Sequence, residues 1–219
     1  MRILTGYVLS LLIPFAAIGI SSLLKRLLKL KTEISRKLIH ILVGNTWFPM
    51  YFYLRGTVHF IIVPAIFIAV NWLSNRFNVF KSMEREKKDG KSDLGTVYFA
   101  ICMTVMSTIS YIFPALTIPY GIAVACLTLG DGAAAAFGIL INKHNPVIFK
   151  GKTLFGSLAC IVFSALGVCF MCLCTGTQAA PYAVALLAVL TCVLELFGGR
   201  FDNFTVSFGT MAAAYLLLI

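Results

Sequence analysis

The chain has 219 residues, 60% of them hydrophobic and 12% charged, and its 18 Lys and Arg against 8 Asp and Glu leave a net charge of +10. Globular chains average about 45–50% apolar and about 25% charged, so most soluble architectures are excluded. A pI near 9.4 suggests nucleic acid, but a mean hydropathy of +0.94 leaves too little solvated surface for a basic groove, whereas a membrane protein with basic loops accounts for both numbers.

About 20 apolar residues cross a bilayer core of about 30 Å. Read in chain order, eight stretches qualify: 3–24, 38–54, 58–73, 94–113, 117–141, 154–174, 180–198 and 205–219, the third and the eighth being short. The first is followed at once by Lys25 and Arg26 and has no small-residue cleavage site, so it reads as an uncleaved span. Eight spans consume roughly 160 positions, which predicts an all-α, polytopic integral membrane protein of about seven or eight transmembrane helices. The loops are short, and a single domain occupies residues 1–219.

Basic residues favour the cytoplasmic loops. Successive connections hold 6, 1, 6, 0, 3, 0 and 1 Lys and Arg, so 16 of the 18 fall on one face, predicted to be cytoplasmic, with both termini outside. The eight acids (Glu33, Glu84, Glu86, Asp89, Asp93, Asp131, Glu195 and Asp202) map to the same loops or the adjoining halves of spans. That asymmetry predicts a polar site on the cytoplasmic side. The seven cysteines all fall within apolar spans, where Cys behaves as a small hydrophobe, and imply no disulfide framework.

Four constellations carry the candidate chemistry. In the first, Glu33, Arg36, Lys37, His40 and Gly44 recur every three or four residues, on one helical stripe that continues into the second span. Arg36 and Lys37 suit headgroup anchoring as well as function, and His40, about 4.5 Å of rise deeper, belongs to the bundle interior. The second is Gly130-Asp131-Gly132 followed by four alanines, Phe137 and Gly138. Ten residues of helix put Asp131 about 15 Å from the end of its span, a depth at which a carboxylate is a functional candidate, and the glycines permit a broken helix or close packing.

The third runs from Lys143 and His144 through Lys150, Gly151, Lys152 and Thr153 to Gly156 and Ser157. Gly-Lys-Thr invites a P-loop reading, but Pro146 stands where that motif needs its first glycine. Three lysines, two hydroxyls, two glycines and a helix N-terminus remain suited to phosphate. The fourth, Glu195 with Asp202 and Asn203, offers oxygen ligands of the kind Mg2+ takes together with phosphates, although Asp-Asn also caps helices.

These four sets, in this order, resemble the CTP-dependent lipid-alcohol kinases: dolichol kinase, phytol kinase and bacterial polyprenol or diacylglycerol kinases. Arg36-Lys37-x-x-His40 is similar to the early RK-x-x-H element of that family, and Gly130-Asp131-Gly132-Ala133-Ala134 with Gly138 and Lys143 to its GD-x-A core. Lys152-Thr153-x-x-Gly156-Ser157 is similar to its K-(S/T)-x-x-G-(S/T) element, and Glu195 with Asp202-Asn203-Phe204-Thr205-Val206 to its closing signature. Phe155 stands where many dolichol-kinase-like members carry Glu, which leans toward the phytol-kinase-like or bacterial branches, and Ser207 stands where Pro usually follows.

The resemblance implies a cytoplasm-facing enzyme that phosphorylates a polyprenol-, phytol- or diacylglycerol-type lipid with CTP and Mg2+. Asp131, His40 and Lys37 would be catalytic. Arg36, Gly130, Gly132, Lys143, Lys150, Lys152, Thr153, Gly156 and Ser157 would bind nucleotide, and Asp131, Glu195, Asp202 and Asn203 would hold metal. Two other readings are a phosphatidate cytidylyltransferase-like enzyme making CDP-lipid and a small membrane transporter.

Overall fold

The computed structural model describes residues 1–77, 94–141 and 144–219. Lys143 and the acids Glu84, Glu86, Asp89 and Asp93 lie outside the described residues. Six helices among those described are long and apolar enough to cross a membrane, and the chain is an all-α, multi-pass integral membrane protein. Leu12, Phe15, Leu23, Val162, Leu173, Leu186 and Leu216 turn outward, the pattern of helices whose outer solvent is lipid.

The chain divides into two compact units, Met1–Pro114 and Ala115–Ile219. In the first, α1 (Arg2–Leu28) packs on α2 (Thr32–Gly44), and α4 (His59–Phe77) on α5 (Gly95–Ile112). The second predicted span is not one helix. It begins at Thr32, stops at Gly44, and resumes as the three-residue α3 (Trp47–Pro49) and a π-helical turn, Met50–Leu54. Pro49 is the cause: it has no N–H for the carbonyl of Asn45, which accepts instead from Phe48 N at 3.1 Å, while Asn45 N and Thr46 N reach back three residues to Leu42 and Val43. The Asn45 side chain caps the break by donating to the carbonyls of Ile41 and Leu42. The third span, expected to be marginal, is a 19-residue helix that qualifies to cross, whereas the second and the eighth, the latter a 17-residue helix over Asp202–Leu218, are not among the six that do.

In the second unit, α6 (Thr117–Ala125) passes through a π-helical segment (Cys126–Asp131) into α7 (Gly132–Leu140). Pro114–Leu140 thus forms a 27-residue apolar span, and Asp131 sits in a wound, unbroken helix. A short hairpin of β1 (Val147–Phe149) and β2 (Lys152–Thr153) follows, then α8 (Leu154–Thr175), α9 (Pro181–Gly198) and α10 (Asp202–Leu218). Helix α8 packs on α9, on α7 and on the π segment, and α10 packs on α9 and α6.

Small residues set these crossings. A Cβ at Gly156 of α8 would lie 2.8 Å from the backbone oxygen of Ala134, and one at Gly130 would lie 2.2 Å from Ser164 Oγ. Farther along, Gly167 abuts Ala125 and Leu129 at 3.3–3.4 Å. Backbones brought this close gain the dispersion contacts that hold helices together in lipid, where hydrophobic burial provides little drive.

Candidate functional site

The site is assembled at the end of the second unit, where α7 gives way to the hairpin. Asn145 joins the parts: its Oδ1 accepts from Phe155 N at 3.0 Å and its Nδ2 donates to Gly138 O at 3.5 Å. Leu154 N donates to Pro146 O at 2.9 Å. The segment, by its sequence a cytoplasmic loop leading into a new span, contains an antiparallel hairpin with Phe149 opposite Lys152. Its two-residue turn is Lys150-Gly151, at φ 42° and 83°, the two positive values that a type I′ turn demands. Thr153 Oγ1 then accepts from Gly156 N at 3.3 Å, which caps α8.

This turn decides where the lysines go. Lys150 is exposed at the tip, its ammonium 5.2 Å from the centre of the Phe149 ring. Phe149 packs in turn on Phe197 of α9, with ring centres 4.9 Å apart. Lys152, on the returning strand, forms an ion pair with Glu195, two residues before Phe197 on α9. The Glu195 side chain is 3% exposed and that of Lys152 29%. Burial lowers the pKa of Lys152, but the carboxylates of Glu195, Asp131 and Asp202 together outweigh it and hold the ammonium above its ordinary value.

Each carboxylate arrives from a different element. Asp131 is the last residue of the π segment and is 3% exposed. Asp202 opens α10 after a tight reversal in which Gly199 takes φ 57°, and its Oδ1 accepts from Asn203 N at 2.8 Å. Thr205 seals that corner: its Oγ1 fills the space over Gly198, where a Cβ would come within 2.4 Å, and donates to Leu194 O at 3.4 Å. The Lys152 ammonium is therefore paired with Glu195 and lies within electrostatic range of Asp131 and Asp202, an excess of negative charge that favours a cation. Among the described residues, no three His, Cys, Asp or Glu side chains converge closely enough to hold a metal by themselves. The donor set nonetheless fits Mg2+, which takes one or two carboxylates and completes its shell with water and phosphate oxygens.

Several residues expected to bind nucleotide also have packing or capping roles. Gly130 and Gly156 are the close-approach points described above, Gly132 is buried in α7, and Thr153 spends an acceptor lone pair on the cap, which leaves its hydroxyl hydrogen available. The hydroxyls of Ser157 and Ser164 are buried without hydrogen-bond partners among the described residues. Cys160, with Ala134 and Cys192, forms a small core cluster, and Cys192 Sγ donates to Ser157 O at 3.5 Å. Asn145 and Ser164 were missed in the sequence. The Asn-Pro pair, a turn signal, pointed to Asn145, and nothing local pointed to Ser164.

Arg36, Lys37 and His40 belong to the first unit. Arg36 chelates Glu33, with Nη2 to Oε1 at 2.6 Å and Nε to Oε2 at 3.2 Å. Lys37 is 7% exposed, and the half-buried His40 ring lies against Phe99 of α5 with ring centres 4.4 Å apart. The stripe predicted from the spacing therefore turns inward at Lys37 and His40 and remains partly solvated at Glu33 and Arg36.

The Lys152, Glu195, Asp131 and Asp202 cluster is thus the part of the predicted site that the structure draws together within one unit. No protein-family model, curated protein or solved structure matches the chain.

Proposed function

We propose that the chain is a CTP-dependent kinase for a membrane lipid alcohol, with its site at the end of the second unit and facing the cytoplasm. The observation that carries this reading is the Lys152 ammonium paired with the buried Glu195, within electrostatic range of Asp131 and Asp202, at the end of a lipid-embedded bundle. A magnesium nucleotide brings both signs of charge to such a cluster: the dication suits the carboxylates, and the phosphates suit Lys152, Lys150 and the Thr153 hydroxyl. The order of the four sequence elements, which resembles that of the lipid-alcohol kinases, supports the same reading, and the one-sided charge map supports cytoplasmic access.

Phosphoryl transfer depends mainly on positioning and charge neutralisation. The acceptor hydroxyl oxygen attacks the γ-phosphorus of CTP. A new O–P bond forms as the bond to the β-phosphate oxygen breaks, CDP leaves, and the hydroxyl proton passes to the Asp131 carboxylate. Lys152 moves from Glu195 to the phosphates; Glu195, Asp202 and Asn203 would hold Mg2+, which would neutralise phosphate charge. The prenyl or acyl chain stays in the bilayer, so only the hydroxyl enters.

The test is incubation of membranes containing the protein with γ-labelled CTP or ATP and a panel of farnesol, phytol, longer polyprenols and diacylglycerol. A labelled lipid phosphate with release of CDP is expected, at least about a hundredfold weaker in Asp131→Asn. Release of pyrophosphate with a CDP-lipid product would transfer the assignment to a cytidylyltransferase. Absence of label from every acceptor, or full activity in Asp131→Asn, would remove the kinase reading.

A further inference from the structure

Six basic residues crowd the connection between α1 and α2, and the structure divides them into two sets. Three are engaged internally: Lys25 Nζ donates to Thr32 Oγ1 at 3.1 Å, Arg36 pairs with Glu33, and Lys37 is buried. Arg26, Lys29 and Lys31 are all exposed and have no ion-pair partner among the described residues.

These three cations sit close together. Lys29 ends α1 in the left-handed conformation, φ 50° and ψ 41°, with its N–H bonded to Lys25 O, so the chain reverses between Lys29 and the start of α2 at Thr32. They border Leu23, Leu27 and Leu28, which are 57%, 68% and 64% exposed, on a helix able to cross the membrane. An apolar, lipid-facing surface thus ends directly in three positive charges with no ion-pair partner among the described residues.

We propose that Arg26, Lys29 and Lys31 form a binding site for the headgroup of an anionic phospholipid, whose acyl chains lie along Leu23 and Leu27. Arg26 offers a planar fork to the phosphate and the two lysines offer mobile point charges. The site is independent of the kinase reading, because it lies on a different element from Asp131 and Lys152 and its readout is lipid binding.

The test is native mass spectrometry of the full chain in detergent, titrated with equal amounts of phosphatidylglycerol and phosphatidylcholine. Each surface cation strengthens attraction to anionic lipid about fivefold, so phosphatidylglycerol should be retained at least about tenfold in excess. The triple variant Arg26→Gln, Lys29→Gln, Lys31→Gln should lose that excess. Arg55→Gln, which alters an exposed cation on another connection, and the charge-keeping triple variant Arg26→Lys, Lys29→Arg, Lys31→Arg should keep it. Equal retention of the two lipids, an unchanged preference in the Gln triple variant, or displacement of the lipid by inorganic phosphate alone would overturn the proposal.

Discussion

Removing either partner of the Lys152–Glu195 pair leaves a charge behind, and the two removals are unequal. Truncating one member of a buried pair costs about 3–5 kcal/mol when the survivor is fully enclosed. Glu195, with a side chain 3% exposed, is such a survivor, so Lys152→Met should cost about 3 kcal/mol. Lys152 is 29% exposed, and after Glu195→Gln it still feels Asp131 and Asp202. Solvent screening and those neighbours reduce its penalty to about 1–2 kcal/mol. The double variant, with both charges of the pair removed, should recover part of the loss and fall well short of the sum of the singles. Unfolding of the purified protein in detergent, followed by circular dichroism in increasing denaturant, gives the four stabilities of the cycle. If Glu195→Gln were the more damaging single change, or if the two effects simply added, the pair would not be the buried, coupled unit described.

Two further outcomes follow from the same geometry. Because the Lys152 ammonium is held above its ordinary value of 10.5, its contribution is fully present below that pH and lost as pH rises through the higher folded value; the stability gap between the wild type and Lys152→Met should stay level from about pH 7 to 9 and narrow above it, and a gap that widened with alkali would refute the charge arrangement. Gly130→Ala places a methyl group 2.2 Å from Ser164 Oγ and should cost about 1–3 kcal/mol by overpacking, whereas Ser164→Ala, which deletes an unpartnered hydroxyl, should be near neutral and should rescue Gly130→Ala in a melting comparison.

Much of the transmembrane architecture was legible because a bilayer imposes one length and one solvent: α1, α5, α8 and α9 lie within a few residues of their predicted bounds. The second span departed from expectation because hydropathy is blind to a missing N–H, and Pro49 breaks hydrogen bonding without changing apolarity. The candidate site divided along similar lines. Asp131 stood out because a carboxylate in hydrocarbon is expensive wherever it packs. That Lys152 selects Glu195, 43 residues later, depends on the Lys150-Gly151 turn and on the Phe149–Phe197 contact, neither of which leaves a periodic trace. Gly130 and Gly156 show the opposite difficulty: the sequence marks them as special, yet a glycine that admits a phosphate and one that admits a neighbouring helix look the same until the neighbour is placed.

The hairpin turn has a consequence for substitution. Lys150 and Gly151 both hold positive φ, a conformation that glycine adopts freely and a β-branched residue does not. Gly151→Val should therefore open the turn and loosen Lys152, which follows it at once, from Glu195, whereas Lys150→Gly should leave the ion pair in place.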